Sequence, residues 1–286
     1  MYQPEVYADP IAWGTAHAEP WWTHCVAPAD RPTLQGWADI PRLLKDMDRA
    51  GVEKSVMLGW YWEHQETCDL QNQWFIDWSK ALPDRLLGFA SVQPNSGQHG
   101  FDQLRRALDA GLCGIGESLP QAQHFSFTDD NWARIVALAV ERDIPINLHV
   151  TDPLVYQPGS TTKPTPLEDF VRLVTDFPEA KFILAHWGGG IPYHELNPRI
   201  RGLFKNVYYD TAASSLIYDK SVFRGTIDIV GVERVLFGTD YPLLCYPHES
   251  QEPDFVRALE DVTSAGLTEA EVAAVLGGNM LRLLRS

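Results

Sequence analysis

Short apolar runs recur along this chain, and each is followed by residues whose apolar positions fall at helical spacing. The runs at 54–59, 86–92, 113–117, 145–150, 181–186, 207–211 and 234–239 are too short for buried helices but suit strands covered on both faces. Helical patterns occupy 34–50, 69–81, 101–110, 129–142, 166–176, 193–203, 222–229 and 255–262, and the tail 268–284 holds one or two closing helices. Gly51 stops the first of these helices, and Thr128 and Asp129 are cap candidates for the fourth. Residues 1–32 show no period. Five prolines and Trp13, Trp21 and Trp22 lie in this stretch, which predicts an ordered loop folded over the body, because tryptophans at this density seldom face solvent.

Strands alternating with helices of this length give βαβ units and a parallel sheet. No linker or composition shift interrupts the alternation, so residues 1–286 are expected to form a single domain. Seven strands are visible where a closed βα barrel has eight. A doubly wound sheet accepts seven, but no GxGxxG follows the first strand and polar residues end many strands, so a TIM-type barrel is the expected architecture.

Composition narrows the partners. The net charge of −15 lacks the basic face that nucleic acid or an anionic membrane surface requires, so neither is expected. Nothing approaches the roughly 18 apolar residues of a membrane span, and the first residues carry no signal-peptide pattern. Cys25, Cys68, Cys113 and Cys245 are scattered without a CxxC pair, which reads as reduced thiols in a cytoplasmic protein.

Chemistry gathers where the apolar runs end. His149 ends INLH, His186 ends KFILAH and is followed by Gly188, Gly189 and Gly190, and Asp240 ends VLFGTD. One histidine at such a place is more often a hydrogen-bonded core residue, whereas three competent side chains in phase favour metal or proton chemistry. Asp240 alone could cap the turn before Pro242, or it could hold a metal and take a proton from its water. Glu117, beside Gly114 and Gly116, is either a solvated strand-end carboxylate or a further ligand, and Asp210 could orient a ligand histidine. Trp60, Tyr61 and Trp62 follow the first visible strand. Trp60 and Tyr61 are expected to line the mouth and to suit a flat substrate, although core packing explains them nearly as well.

With His149, the segment Ile183–Gly190 and the segment Phe237–Pro242, the chain resembles the amidohydrolase superfamily, in the branch similar to aminocarboxymuconate semialdehyde decarboxylase. The resemblance covers essentially the whole chain and implies a distorted (β/α)8 barrel with a divalent metal at its C-terminal mouth, zinc first and manganese second. It implies His149, Asp240 and Glu117 as metal ligands, with Asp240 and His186 as catalytic residues. The branch performs either hydrolysis of amides and lactones or non-oxidative loss of carboxylate from small acids. A decarboxylase should offer a fixed cation to the carboxylate. No lysine or arginine ends a strand here, Lys163, Arg199 and Arg201 lying in loop or helix, so a hydrolase of a small carbonyl compound is the first expectation and a decarboxylase of an aromatic or unsaturated acid the second. A binding protein without catalysis is a third. The partner is a small molecule, and a homodimer is allowed. Relatives begin with a strand ending in His-x-His, which occurs nowhere in this sequence, so the first strand is expected to be missing, through a start codon assigned too late, a shortened product or a true loss. A gap between the first and last visible strands and weak metal binding through His149 and Asp240 would follow.

Overall fold

The computed structural model describes residues 1–29, 31–153, 164–248 and 250–284. Its elements in chain order are α1 Pro4–Ala8, α2 Pro10–Ala16, α3 Pro20–Val26, α4 Ile40–Ala50, β1 Ser55–Met57, α5 Gln65–Ala81, β2 Leu86–Gly88, α6 Gly97–Asp109, β3 Ile115–Ser118, α7 Pro120–Gln123, α8 Asp130–Glu141 and β4 Ile146–Leu148. There follow α9 Leu167–Asp176, β5 Phe182–Leu184, α10 Ile191–His194, α11 Pro198–Leu203, β6 Val207–Asp210, α12 Ser214–Ile217, α13 Ser221–Val230, β7 Val235–Leu236, α14 Phe255–Thr263, α15 Glu269–Ala273 and α16 Asn279–Leu283.

All strand pairs are parallel, in the order β1–β2 and β3–β4–β5–β6–β7. Backbone bonds join the two groups: Cys113 N–H donates to Gly88 O, Ala90 N–H to Gly114 O, and Gly116 N–H to Ala90 O. The result is one continuous curved wall of seven strands, a distorted barrel of the (β/α)8 type in which no strand precedes β1 among the described residues. Strand periodicity sorts the side chains. Val56, Phe89, Ile183, Tyr208 and Leu236 fill the inside, and Ile146, Leu148, Leu184 and Tyr209 join the outer core under the helices.

Among the described residues β1 and β7 do not pair with each other. The free edge of β7 is met by the C-terminal segment instead: Phe237 N–H donates to Val275 O, and the Asn279 amide donates to the carbonyls of Val232 and Val235 at 2.7 Å. Met280, Leu283 and Leu284 of that segment pack with the inner cluster. Edge groups that would otherwise be unsatisfied are thereby covered.

The expected loop over residues 1–32 is corrected to three short helices, each with proline in its first turn, where its fixed φ suits a helix and its missing N–H costs nothing. Their aromatic residues do fold inward. Trp22 is fully buried between Trp13 and Trp62, at 5.0 and 5.7 Å between ring centroids, and its indole donates to the Tyr2 hydroxyl at 3.0 Å. The expected helix at 34–50 starts at Ile40 with Asp39 as its cap, and the one expected at 193–203 divides into α10 and α11. Asp129 holds the cap position of α8, but its carboxylate accepts from Ser126 N–H.

Candidate metal centre at the barrel mouth

His186 stands where β5 gives way to a left-handed turn. Its φ is 56°, and Trp187, Gly188 and Gly189 follow at 57°, 58° and 57°. Left-handed backbone costs about 1–3 kcal/mol at each residue with a side chain, so His186 and Trp187 must be held there. The Trp187 indole donates to Ser214 Oγ at 2.6 Å while its ring packs edge-on to Phe223. Gly188 is required for space as well, since a Cβ there would lie 2.8 Å from the Tyr209 ring. The His186 N–H donates to Asp210 Oδ1 at 3.0 Å, and its Nδ1 lies 3.0 Å from Ala212 O. A carbonyl only accepts, so Nδ1 carries the proton and Nε2 keeps its lone pair.

The other two members come from β3 and from the end of β4. Glu117 N–H donates to Gly59 O and His149 N–H to Ser118 O, which fixes both backbones. Their side chains meet, with His149 Nδ1 3.2 Å from Glu117 Oε1, and the His149 and His186 rings cross at 4.8 Å and 72°. One donor atom each from Glu117, His149 and His186 lies within 4.8 Å of the others.

Burial pushes the Glu117 carboxyl up to about 8, with the charges of Asp240 and Asp210 adding to the rise and His186 opposing it. Burial lowers His149 to about 4 against the pull of Asp240 and Asp210. Burial drives both toward neutrality, so the His149 imidazole keeps a lone pair and the Glu117 carboxyl ionises more readily beside a positive charge. Two imidazoles and one carboxylate suit zinc or manganese, and the bond from His186 Nδ1 to a backbone carbonyl is the outer-shell contact that ligating histidines make. The donor set fits a divalent cation.

The structure thus brings together Glu117, His149 and His186. Asp240 is exposed, with φ 61°, and is not one of these three, but its charge is felt by Glu117 and His149. Its neighbour Tyr241 anchors the loop by donating to Asp46 Oδ2 at 2.8 Å and stacking on Phe255 at 4.5 Å. The Tyr61 ring lies 5.3 Å from the His149 ring, Trp60 stacks on Tyr61 at 4.2 Å, and Trp21 packs against the same cluster. Arg199 is exposed and Arg201 donates to Glu195 O, while Lys163 lies outside the described residues.

Two sets of buried polar residues around the site carry little signal in the sequence. Asn147, 1% exposed, is a polar break within an apolar strand, and its amide donates to Asp210 Oδ2 at 3.2 Å. Gln71 and Gln123 are buried and satisfy the backbone around Trp60, Trp62 and Val92. Their positions on helices gave no sign of an inward polar role.

A family description, Amidohydrolase, matches residues 15–286. A 2-keto-4-carboxy-3-hexenedioate hydratase from Sphingobium sp. is 27% identical over 139 residues, covering 41% of this chain and 39% of that protein. A 6-methylsalicylic acid decarboxylase from Penicillium expansum is 28% identical over 138 residues, covering 38% and 41%. The chain thus matches about two fifths of the length of these curated relatives. The crystal structure of a dihydroxybenzoic acid decarboxylase from Polaromonas sp. JS666, with bound manganese and the inhibitor 2-nitroresorcinol, is similar at a TM-score of 0.66 and 18% identity, covering 87% of this chain and 86% of that one. That likeness is one of fold.

Proposed function

This chain belongs to the Amidohydrolase family, and from that premise we propose a metal-dependent lyase that releases the carboxylate of a small aromatic or unsaturated acid as CO₂. The observation that carries this reading is the cluster of Glu117, His149 and His186 within 4.8 Å, with an aromatic wall beside it. A divalent cation bound there, manganese or zinc, supplies Lewis acidity toward the oxygens of the acid.

The chain's own residues supply the rest. Tyr61 offers a ring face to a flat substrate and Trp60 backs it. The cation is also the group that meets the substrate's charge in this reading. In the reaction the bond between the substrate carbon and its carboxylate breaks, its electron pair stays on that carbon, and a proton replaces CO₂. Asp240, exposed and with no hydrogen bond to its carboxylate among the described residues, passes that proton. The named relatives, a hydratase and decarboxylases, support lyase chemistry over the hydrolysis that the sequence first suggests. Water addition or hydrolysis remains the second reading, favoured by the solvent exposure of Asp240, which is then the acceptor of a water proton. The four unpaired thiols support a cytoplasmic setting.

The test is turnover by the manganese- and zinc-loaded chain on 6-methylsalicylate, dihydroxybenzoates, an unsaturated tricarboxylate and a lactone panel. Metal-dependent CO₂ release that falls sharply in Asp240→Asn supports the proposal. Hydration or hydrolysis products without CO₂ would replace it with the second reading.

A further inference from the structure

We propose that Asp210 is the positioning residue of this centre: its carboxylate, oriented by Asn147, holds the His186 backbone in its left-handed form and so aims the imidazole at Glu117 and His149. This rests on the reading that those three side chains form the working site. Asp210 and Asn147 are 5% and 1% exposed, on β6 and β4 on either side of β5, whose end carries His186. Asp210 Oδ1 accepts from His186 N–H at 3.0 Å and from Ala212 N–H at 3.1 Å, and Oδ2 accepts from the Asn147 amide at 3.2 Å. The Ala212 carbonyl in turn holds His186 Nδ1 at 3.0 Å. One carboxylate therefore fixes the imidazole from both ends, through the residue's own backbone and through the residue that accepts its ring proton, without touching the ring. A φ of 56° for His186 needs such a hold, because the relaxed backbone would turn the ring elsewhere.

The same geometry separates hydrogen bonding from charge. Asn147 Oδ1 is buried with no partner, so its amide is free to turn over. In Asp210→Asn the remaining side-chain oxygen still accepts both backbone N–H groups, and Asn147 presents its unpaired oxygen to the new amide. In Asp210→Leu both acceptors are gone.

Two readouts on the full chain decide the matter. In the metal-free protein, the slowly exchanging Nδ1 proton of His186 is followed by NMR and identified by its loss in His186→Asn. It should persist in Asp210→Asn and vanish in Asp210→Leu. Manganese affinity, measured by chelator competition, should stay close to wild type in Asp210→Asn and fall by about 10–100-fold in Asp210→Leu, the scale of losing an outer-shell partner. An unchanged proton signal and affinity in Asp210→Leu would overturn the proposal. So would an equal loss in Asp210→Asn, which would mean that charge and not hydrogen bonding matters, and this arm decides even if the leucine variant does not fold. A wild-type chain that binds no metal defeats the metal reading, whereas the NMR comparison still judges Asp210.

Discussion

Glu117 and His149 lie 3.2 Å apart, and the burial that shifts both makes the metal-free protein sensitive to pH. For Glu117, about 8 when folded against an ordinary 4.5, the folded state holds the extra proton. Its contribution to stability is fully present below pH 4.5 and is lost as pH rises to about 8. For His149, about 4 against 6.5, the unfolded state takes the proton, so that contribution is present above pH 6.5 and lost as pH falls to about 4. The two slopes oppose each other where they overlap, and only the Glu117 slope remains above 6.5. Metal-stripped protein should therefore lose stability between pH 6.5 and 8, and Glu117→Gln should flatten the fall. Denaturant midpoints at the two pH values check this, and a rise across the window would contradict it. At the same scale, Tyr61→Leu keeps the apolar packing but removes the ring beside His149. On the proposed lyase reading, binding of a small aromatic acid should weaken by about 0.5–1.5 kcal/mol by titration calorimetry, and unchanged affinity would remove Tyr61 from the substrate wall.

His149 and His186 were legible as site candidates because each ends an apolar run and the two recur in phase, which core packing of a lone histidine does not explain. Asn147 was not legible. A single asparagine inside a strand gives no hint that its partner is 63 residues away. The grouping of Glu117 with the two histidines, without Asp240, depends on how strand ends and loops turn, and side-chain identity carries no such information.

At the scale of elements, the left-handed turn after β5 and the loop after β7 fix the site from two sides. Gly188→Ala puts a methyl 2.8 Å from the Tyr209 ring and adds a side chain at φ 58°, so it should cost about 1–3 kcal/mol of stability. The manganese affinity of the folded fraction should fall with it, because the turn carries His186. Tyr241→Phe removes only the bond to Asp46, which still pairs with Arg42 at 2.7 Å, and should cost about 1 kcal/mol. Urea midpoints measure both, and a neutral Gly188→Ala would show that the turn has room to shift. Strands β4 and β5 were readable from their apolar runs, since burial of every position leaves that signature. The three N-terminal helices were not, because each is too short to show a helical period and opens with proline, which also marks loops.

At the scale of the molecule, seven parallel strands form the wall and the C-terminal segment covers the β7 edge with backbone and amide bonds. The sequence alone predicts weak metal binding through His149 and Asp240. The structure gathers three donors, which predicts more. A cation that binds the folded chain but not the unfolded one stabilises it by mass action, by about 2.7 kcal/mol at a hundredfold excess over the dissociation constant. Manganese or zinc should therefore raise the melting temperature of stripped protein, and magnesium, which prefers oxygen ligands, should do so less. Everything proposed for this site depends on Glu117, His149 and His186 acting as one metal centre. The direct measurement is titration of stripped wild-type chain and of the triple variant Glu117→Gln, His149→Ala, His186→Ala with manganese, followed by metal content after desalting. One metal should be retained per wild-type chain and none in the triple variant. Stoichiometric metal in the triple variant, or none in wild type, would contradict it.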